Sequence, residues 1–233
     1  MKAISSMATR HVLADLTAAA AAERLARVDV ESVGGVDAAE RVAAGEAFDL
    51  VFLASGAMSR LVAEGHVDAE TVTPLVLSQV AVAVPSGSSD KAVRPDGPAF
   101  ADDAGLRDAL RDADRIGYST GPSGTALVKM IEDWGLAEEL GDRLVQAKPG
   151  TPVARSLADG DVDLGFQQLS ELVGQAGVRI LGVMPDGCAI DTVFAGAVAT
   201  ASVDQARARR VLSFFASPAV APIKTQHAFG LPV

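Results

Sequence analysis

Phe48-Asp49-Leu50-Val51-Phe52-Leu53-Ala54 is apolar at every position except Asp49. A strand wetted on one face alternates apolar and polar residues, so an unbroken run of this length marks a strand covered on both sides. Strands of that kind belong to parallel sheets flanked by helices. The residues before the run fit such a sheet. Positions 2–6 read as a short strand, and 11–27 as a helix with Val12, Leu16, Ala19 and Leu25 near one face. Positions 28–33 read as a second strand and Gly34-Gly35 as a turn. Asp37 is then expected to cap a helix reaching 47, with Glu40 completing a capping box. After the run, 58–64 is helical and stops at Gly65. Three strand–helix pairs in succession imply right-handed βαβ units and a parallel sheet.

The rhythm then changes. Thr-Pro-Leu-Val-Leu-Ser-Gln-Val-Ala-Val-Ala-Val-Pro at 73–85 is too β-branched for a helix and reads as one long strand. Positions 86–103 are rich in Ser, Gly, Asp and Pro and read as a loop, followed by a helix at 106–113. A second series comprises strands at 115–118, 144–147, 164–168 and 178–183, with helices at 123–134 and 152–159 and a short one from 170. A second long apolar strand at 190–201 precedes an amphipathic helix at 203–216. Two series that each end in a long strand suggest two lobes joined by two crossovers. Lobe one would hold 1–80 with 192–233, and lobe two 81–191.

A hydrophobic fraction of 49% with only 4% aromatic residues suits alanine-rich helices on valine-rich strands. The formal charge of −10 speaks against nucleic-acid binding, which needs a concentrated basic surface. Arg207, Arg209 and Arg210 beside Asp204 read as a solvated helix face. Cys188 is the one cysteine, which removes an internal disulfide and a cysteine-based zinc site. His66 and His227 have no partner at metal-ligand spacing, so no metal is expected, and no cofactor is called for. No apolar run of ~18 residues exists for a membrane span. No secretory leader fits before the first strand. With Met1 as the natural start the protein is expected in the cytoplasm; with a leader removed, in the periplasm.

In parallel sheets, ligands sit at the carboxyl ends of strands against helix N-termini. Those ends carry Ser5-Ser6, Ser55-Gly56, the Ser119-Thr120-Gly121-Pro122-Ser123-Gly124 segment, Pro149-Gly150-Thr151 and Gln167-Gln168-Leu169-Ser170. Hydroxyls, glycines and amides at five strand ends form a set of anion donors. Capping alone is an alternative account of Ser5, Ser6 and Ser55. The 119–124 segment is not a phosphate loop of the Gly-Lys-Ser/Thr type. Arg10, at a helix start, opposes the helix dipole and reads either as a bidentate grip on a carboxylate or as a surface arginine turned to solvent. Glu171 either favours the dipole of its short helix or acts as a general base, and His11 is the other proton carrier in reach of Arg10.

Ser5-Ser6, the Phe-Asp-x-Val-x-Leu-Ala-Ser segment ending at Ser55, Gly121-Pro122-Ser123-Gly124, Leu164-Gly165-Phe166-Gln167-Gln168 and Ser213-Phe214-Phe215-Ala216-Ser217-Pro218 occur in the order found in molybdate-binding proteins. Over essentially its whole length the chain resembles that branch of the type II periplasmic-binding-protein superfamily. The resemblance implies an α/β fold of two lobes, two crossover strands and a ligand cleft between lobes, with serines and helix N-termini as donors. Gln167-Gln168-Leu169-Ser170-Glu171 stands where molybdate receptors carry a tyrosine-containing turn, and Arg10 stands among what would be neutral donors. Both features look more like the aconitate isomerase-like branch. The resemblance therefore implies an isomerase of a di- or tricarboxylate. Ser5, Ser6, Arg10, Ser55, Ser119, Thr120, Ser123, Gln168 and Ser170 would bind it, and Glu171 or His11 would move a proton. The alternative is a non-catalytic receptor for a molybdate-like oxyanion or a carboxylate. Under that alternative alone would a transporter permease be a partner; otherwise the partner is the small anion.

Overall fold

The computed structural model describes residues 1–88, 97–148 and 151–232. Its packing divides the chain into two units, Met1–Ser78 with Thr192–Val233, and Gln79–Asp191. The first unit opens with β1 (Lys2–Ser6), α1 (Arg10–Ala22), β2 (Asp29–Val33), α2 (Gly35–Ala43), β3 (Leu50–Ala54) and α3 (Ser55–Ala63). β4 (Thr73–Pro85) carries the chain into the second unit. There follow α4 (Asp103–Asp112), β5 (Ile116–Tyr118), α5 (Pro122–Asp133), α6 (Ala137–Leu140), β6 (Leu144–Gln146) and α7 (Val153–Ala158). β7 (Leu164–Gln168), α8 (Leu169–Leu172) and β8 (Val178–Val183) complete it, and β9 (Asp191–Val198) returns the chain to the first unit. α9 (Gln205–Ala216) and α10 (Ala221–Gln226) close the fold.

In the first unit β1 pairs in parallel with both β2 and β3, and β9 pairs antiparallel with β3. In the second, β6, β5 and β7 run parallel, while β4 lies antiparallel between β7 and β8. The apolar run that decided the reading behaves as its composition demands. Leu50 and Phe52 enter the core beneath α1 and α9, where Phe52 meets Phe215 with ring centroids 5.8 Å apart. Val51 and Leu53 enter the opposite core, with Ala38 and Val42 of α2 and Met58 and Leu61 of α3. β4 does the same in the second unit: Val80, Val82 and Val84 face one core, Ala81 and Ala83 the other. Each sheet therefore has helices on both faces, which is why its strands lack polar alternation.

One polar device recurs in both units. Asp49, one residue before β3, accepts the Lys2 N–H at 2.9 Å and the Ser202 hydroxyl at 2.7 Å. Asp163, one residue before β7, accepts the Arg115 N–H at 2.6 Å and the Asp114 N–H at 3.2 Å. In each case a carboxylate grips the backbone where a neighbouring parallel strand begins, setting its start against the strand that follows the aspartate. The lone polar residue in the Phe48–Ala54 run is thus explained by register at the strand's amino end.

Several helix boundaries differ from the sequence expectation: α3 and α4 each start three residues early, at Ser55 and Asp103, and two further differences have a local cause. α1 stops at Ala22, not at 27. Leu25 N–H bonds to the Ala20 carbonyl and Arg24 N–H to the Ala21 carbonyl, both at 3.0 Å, and Arg24 takes the left-handed conformation (φ 58°). That is a Schellman ending built without glycine, so no residue type announces it. The capping box at Asp37 does not form either. The N-cap is Gly34, Asp37 lies in the first turn, and the helix ends before Gly45 (φ 82°). Positions 89–96 of the loop read at 86–103 lie outside the described residues.

Candidate functional site

At the end of β1 the two serines part company. Strand alternation turns them to opposite faces. Ser5 shares the face of Ala3 and is fully buried; its hydroxyl pairs with that of Ser32 at 2.7 Å, its register partner on β2. Ser6 shares the face of Ile4, beneath α2 and α3. It is buried, and its Oγ has no hydrogen-bond partner. A hydroxyl stripped of water and left unpaired costs ~1–3 kcal/mol, so it is rarely retained without a use. Gly35 at the start of α2 lies beside it: a Cβ there would stand 3.7 Å from Ser6 Cβ.

The capping pattern separates two kinds of helix. α4 and α9 carry aspartate caps, Asp102 accepting from Gly105 N–H at 2.9 Å and Asp204 from Arg207 N–H at 3.0 Å. The helices that follow parallel strands carry no side-chain cap. The cap positions are Gly34 for α2, Ala54 for α3 and Gly121 for α5, and Thr9, which opens α1, makes no cap bond either. Helix geometry leaves first-turn N–H groups open at α2 and α3. At α1 the Arg10 N–H already bonds the Met7 carbonyl, and α5 opens on Pro122, which has no N–H, with the Gly124 N–H on the Gly121 carbonyl. No acid stands in the first turn of α1, α3 or α5. Register puts the first unit's helix starts on one edge, since Ser6 pairs with Val33 and Ser5 with Phe52. Uncapped donors at one sheet edge, with an unpaired hydroxyl among them, are a donor set that could hold an anion.

The remaining residues of the first unit occupy the same edge. Ser55 is exposed and donates to the Val193 carbonyl at 3.0 Å, tying the start of α3 to β9. Arg10 and His11 are exposed at the start of α1, with Arg10 Nη2 2.9 Å from His11 Nε2. The guanidinium can only donate, so His11 Nε2 is the acceptor in this contact.

In the second unit, Ser119 at the end of β5 shares a 3.0 Å hydrogen bond with Ser123, which is buried in the first turn of α5. Thr120 between them is exposed. Gly124 makes this corner possible, because a Cβ at that position would sit 1.8 Å from the Ser119 carbonyl oxygen. Of the Pro149-Gly150-Thr151 segment, Pro149 and Gly150 lie outside the described residues, and Thr151 precedes α7. At the end of β7, Gln168 is buried and is the N-cap residue of α8, and the Ser170 hydroxyl is buried without a partner. Glu171 Oε2 accepts a hydrogen bond from Gln167 Nε2 at 3.2 Å. Gln167 is buried as well, and its Oε1 accepts the Ala154 N–H of α7 at 3.2 Å.

Sequence reasoning missed Gly34 and Gly35 as a helix start, and it named Gln167 among the strand-end donors without giving it a role. The glycines read as a turn, whereas the structure makes them the open start of a helix. Gln167 carried no signal beyond an amide in an apolar strand. Burial, with Asp103 nearby, pushes the Cys188 thiol up to about 11, which disfavours the nucleophilic thiolate at neutral pH. Among the described residues no three His, Cys, Asp or Glu side chains gather to hold a metal, and no helix is long and apolar enough to cross a membrane.

Known proteins give this geometry a context. The family model described as bacterial extracellular solute-binding protein matches residues 1–230. An aconitate isomerase from a Pseudomonas species is 31% identical over 177 residues, 76% of this chain and 65% of that protein's length. The match thus spans slightly less than two thirds of the relative. The periplasmic molybdate-binding protein of Azotobacter vinelandii superposes over 100% of both chains with a TM-score of 0.76 at 19% identity. Iron-bound HitA from Pseudomonas aeruginosa gives a TM-score of 0.71 at 16% identity, covering 99% of this chain and 86% of its own. These likenesses establish the type II periplasmic-binding-protein fold.

Proposed function

We propose a function from one premise: the chain belongs to the bacterial extracellular solute-binding protein family. It binds a small di- or tricarboxylate and isomerises its double bond by an allylic proton shift. The observation that carries the binding half is the unpaired, buried Ser6 hydroxyl beside helix starts without side-chain caps. Arg10 adds the charge that a carboxylate needs and that a neutral donor set lacks. The isomerase half is supported by the 31% identity to an aconitate isomerase and by Glu171, a carboxylate at a strand end.

In the reaction, one base takes a proton from the allylic methylene. The C–H electron pair moves through the double bond to give a dienolate, and the proton returns at the far carbon. Hydroxyl and N–H donors stabilise the charge that develops on the substrate carboxylate. Glu171 is the first candidate for the base and His11 the second.

A receptor without chemistry, delivering its ligand to a membrane permease, is the rival reading. One observation favours it: His11, one of the two candidate bases, is already engaged by Arg10. Incubation with cis- and trans-aconitate in D2O, followed by proton NMR, separates the two. Deuterium entry at the allylic carbons with interconversion of the isomers is expected, and Glu171→Gln should slow it ~10²–10⁴-fold, the usual contribution of a general base. Tight binding with no exchange would leave the receptor.

A further inference from the structure

Gln167 lies on a strand whose every residue is buried, where an amide costs free energy unless both its ends are satisfied. Its carbonyl end is fixed by the Ala154 N–H, a donor that cannot reverse its direction. The amide is planar, so this contact decides which way round it sits and points Nε2 the other way, at Glu171 Oε2. The start of α7 thereby sets the direction in which an N–H is presented to Glu171. Glu171 stands in a four-residue helix, a weak support for one fixed rotamer. The amide end that meets Glu171 is a neutral donor, which orients a carboxylate without itself carrying a charge.

We propose that Gln167 is a positioning residue for the proton-transfer step, locking the Glu171 carboxylate against the α7 backbone through its amide. The inference rests on the reading of Glu171 as the base. Two variants separate positioning from packing. Gln167→Glu keeps an oxygen for the Ala154 N–H and replaces the amide donor, while Gln167→Met keeps the volume and loses both bonds. Crystal structures, melting temperatures and steady-state kinetics on the aconitates should be taken for both, beside wild type and Glu171→Gln. Displacement of the Glu171 carboxylate is expected in both Gln167 variants, with kcat lowered ~10- to 100-fold and KM changed far less, the signature of a misplaced reacting group. Both variants should lose melting temperature, Gln167→Met through the orphaned Ala154 N–H and Gln167→Glu through a second buried carboxylate beside Glu171, so the split between kcat and KM and the position of Glu171 carry the test. A Gln167→Glu protein with Glu171 unmoved and wild-type kcat would overturn the proposal and leave Gln167 as a cap for α7. If Glu171→Gln keeps full turnover, or wild type has none, the reading of Glu171 fails on its own. The position of Glu171 in the Gln167→Glu crystal then still decides whether Gln167 holds it.

Discussion

Ser6→Ala should make the free protein more stable and its liganded form weaker. The hydroxyl is buried and unpaired, so the free state carries its desolvation cost with nothing in return. Removing one oxygen leaves a methyl on the face already occupied by Ile4 and lined by α2 and α3. An unsatisfied hydroxyl costs ~1–3 kcal/mol, and a cavity the size of one oxygen returns part of that, so a net gain of about 1 kcal/mol is expected. For a chain of this length that corresponds to a rise of ~2–4 °C in Tm. In the complex the same hydroxyl would donate to a carboxylate, a charge-assisted bond worth ~1.5–3 kcal/mol, or roughly 10- to 100-fold in Kd. Thermal melts of wild type and variant, with and without a citrate series, read both effects on one instrument. At 100 times Kd the ligand adds ~2.7 kcal/mol to wild type, and at that citrate concentration the variant should lose most of the upward shift. A variant that melts lower when free and shifts as far with citrate would refute the reasoning, because Ser6 would then be a paired structural residue.

Four further outcomes follow from the geometry. Gly124→Ala should cost about 3 kcal/mol of stability and break the Ser119–Ser123 contact, since its Cβ meets a backbone carbonyl that cannot step aside; chemical denaturation reads the first and a crystal structure the second. Asp49→Ala should lose ~2 kcal/mol by freeing the Lys2 N–H and the Ser202 hydroxyl, while Asp49→Asn keeps one acceptor and loses less, both measured by urea titration. Cys188 should react with iodoacetamide far more slowly at pH 8 than a free thiol, the rate climbing tenfold per pH unit until it levels near pH 11; early levelling would show that the thiol is not held up by burial. Arg10→Gln should weaken a tricarboxylate more than a neutral analogue in calorimetry, because the lost term is charge on charge.

The fold was legible because its strands are buried on both sides and say so. The apolar run of β3 and the long stretch of β4 each announce two covered faces, and their residues alternate between two cores as that composition requires. What escaped were endings and short elements. α1 ends on Arg24 in a left-handed conformation that glycine or asparagine would have advertised. α6 and α10, at four and six residues, are too short for periodicity to separate them from turns. Asp37 followed by Glu40 matched a cap by residue type alone; the helix began two residues earlier, at a glycine the reading had spent on a turn.

At the first unit's strand ends the informative feature is which capping residues are missing. A helix start without Ser, Thr, Asp or Asn reads locally as a poor start, and Gly34 and Ala54 are such starts. The same chain places Asp102 and Asp204 where it needs ordinary caps, so it is not short of suitable residues. An aspartate at position 34 or 54 would satisfy the helix and repel an anion; glycine and alanine leave the N–H groups to be completed by a ligand. The cost falls on the free protein, and it falls again at Ser6, where a hydroxyl is buried without a partner. Local preference and burial preference are thus broken along one sheet edge, which is the pattern of a site that trades stability of the empty form for affinity. The first breach shows only once the structure places the helix starts at Gly35 and Ser55, where sequence reading expects a turn and a helix from 58. The second appears only once strand alternation has sent Ser5 to a partner on β2 and Ser6 to none.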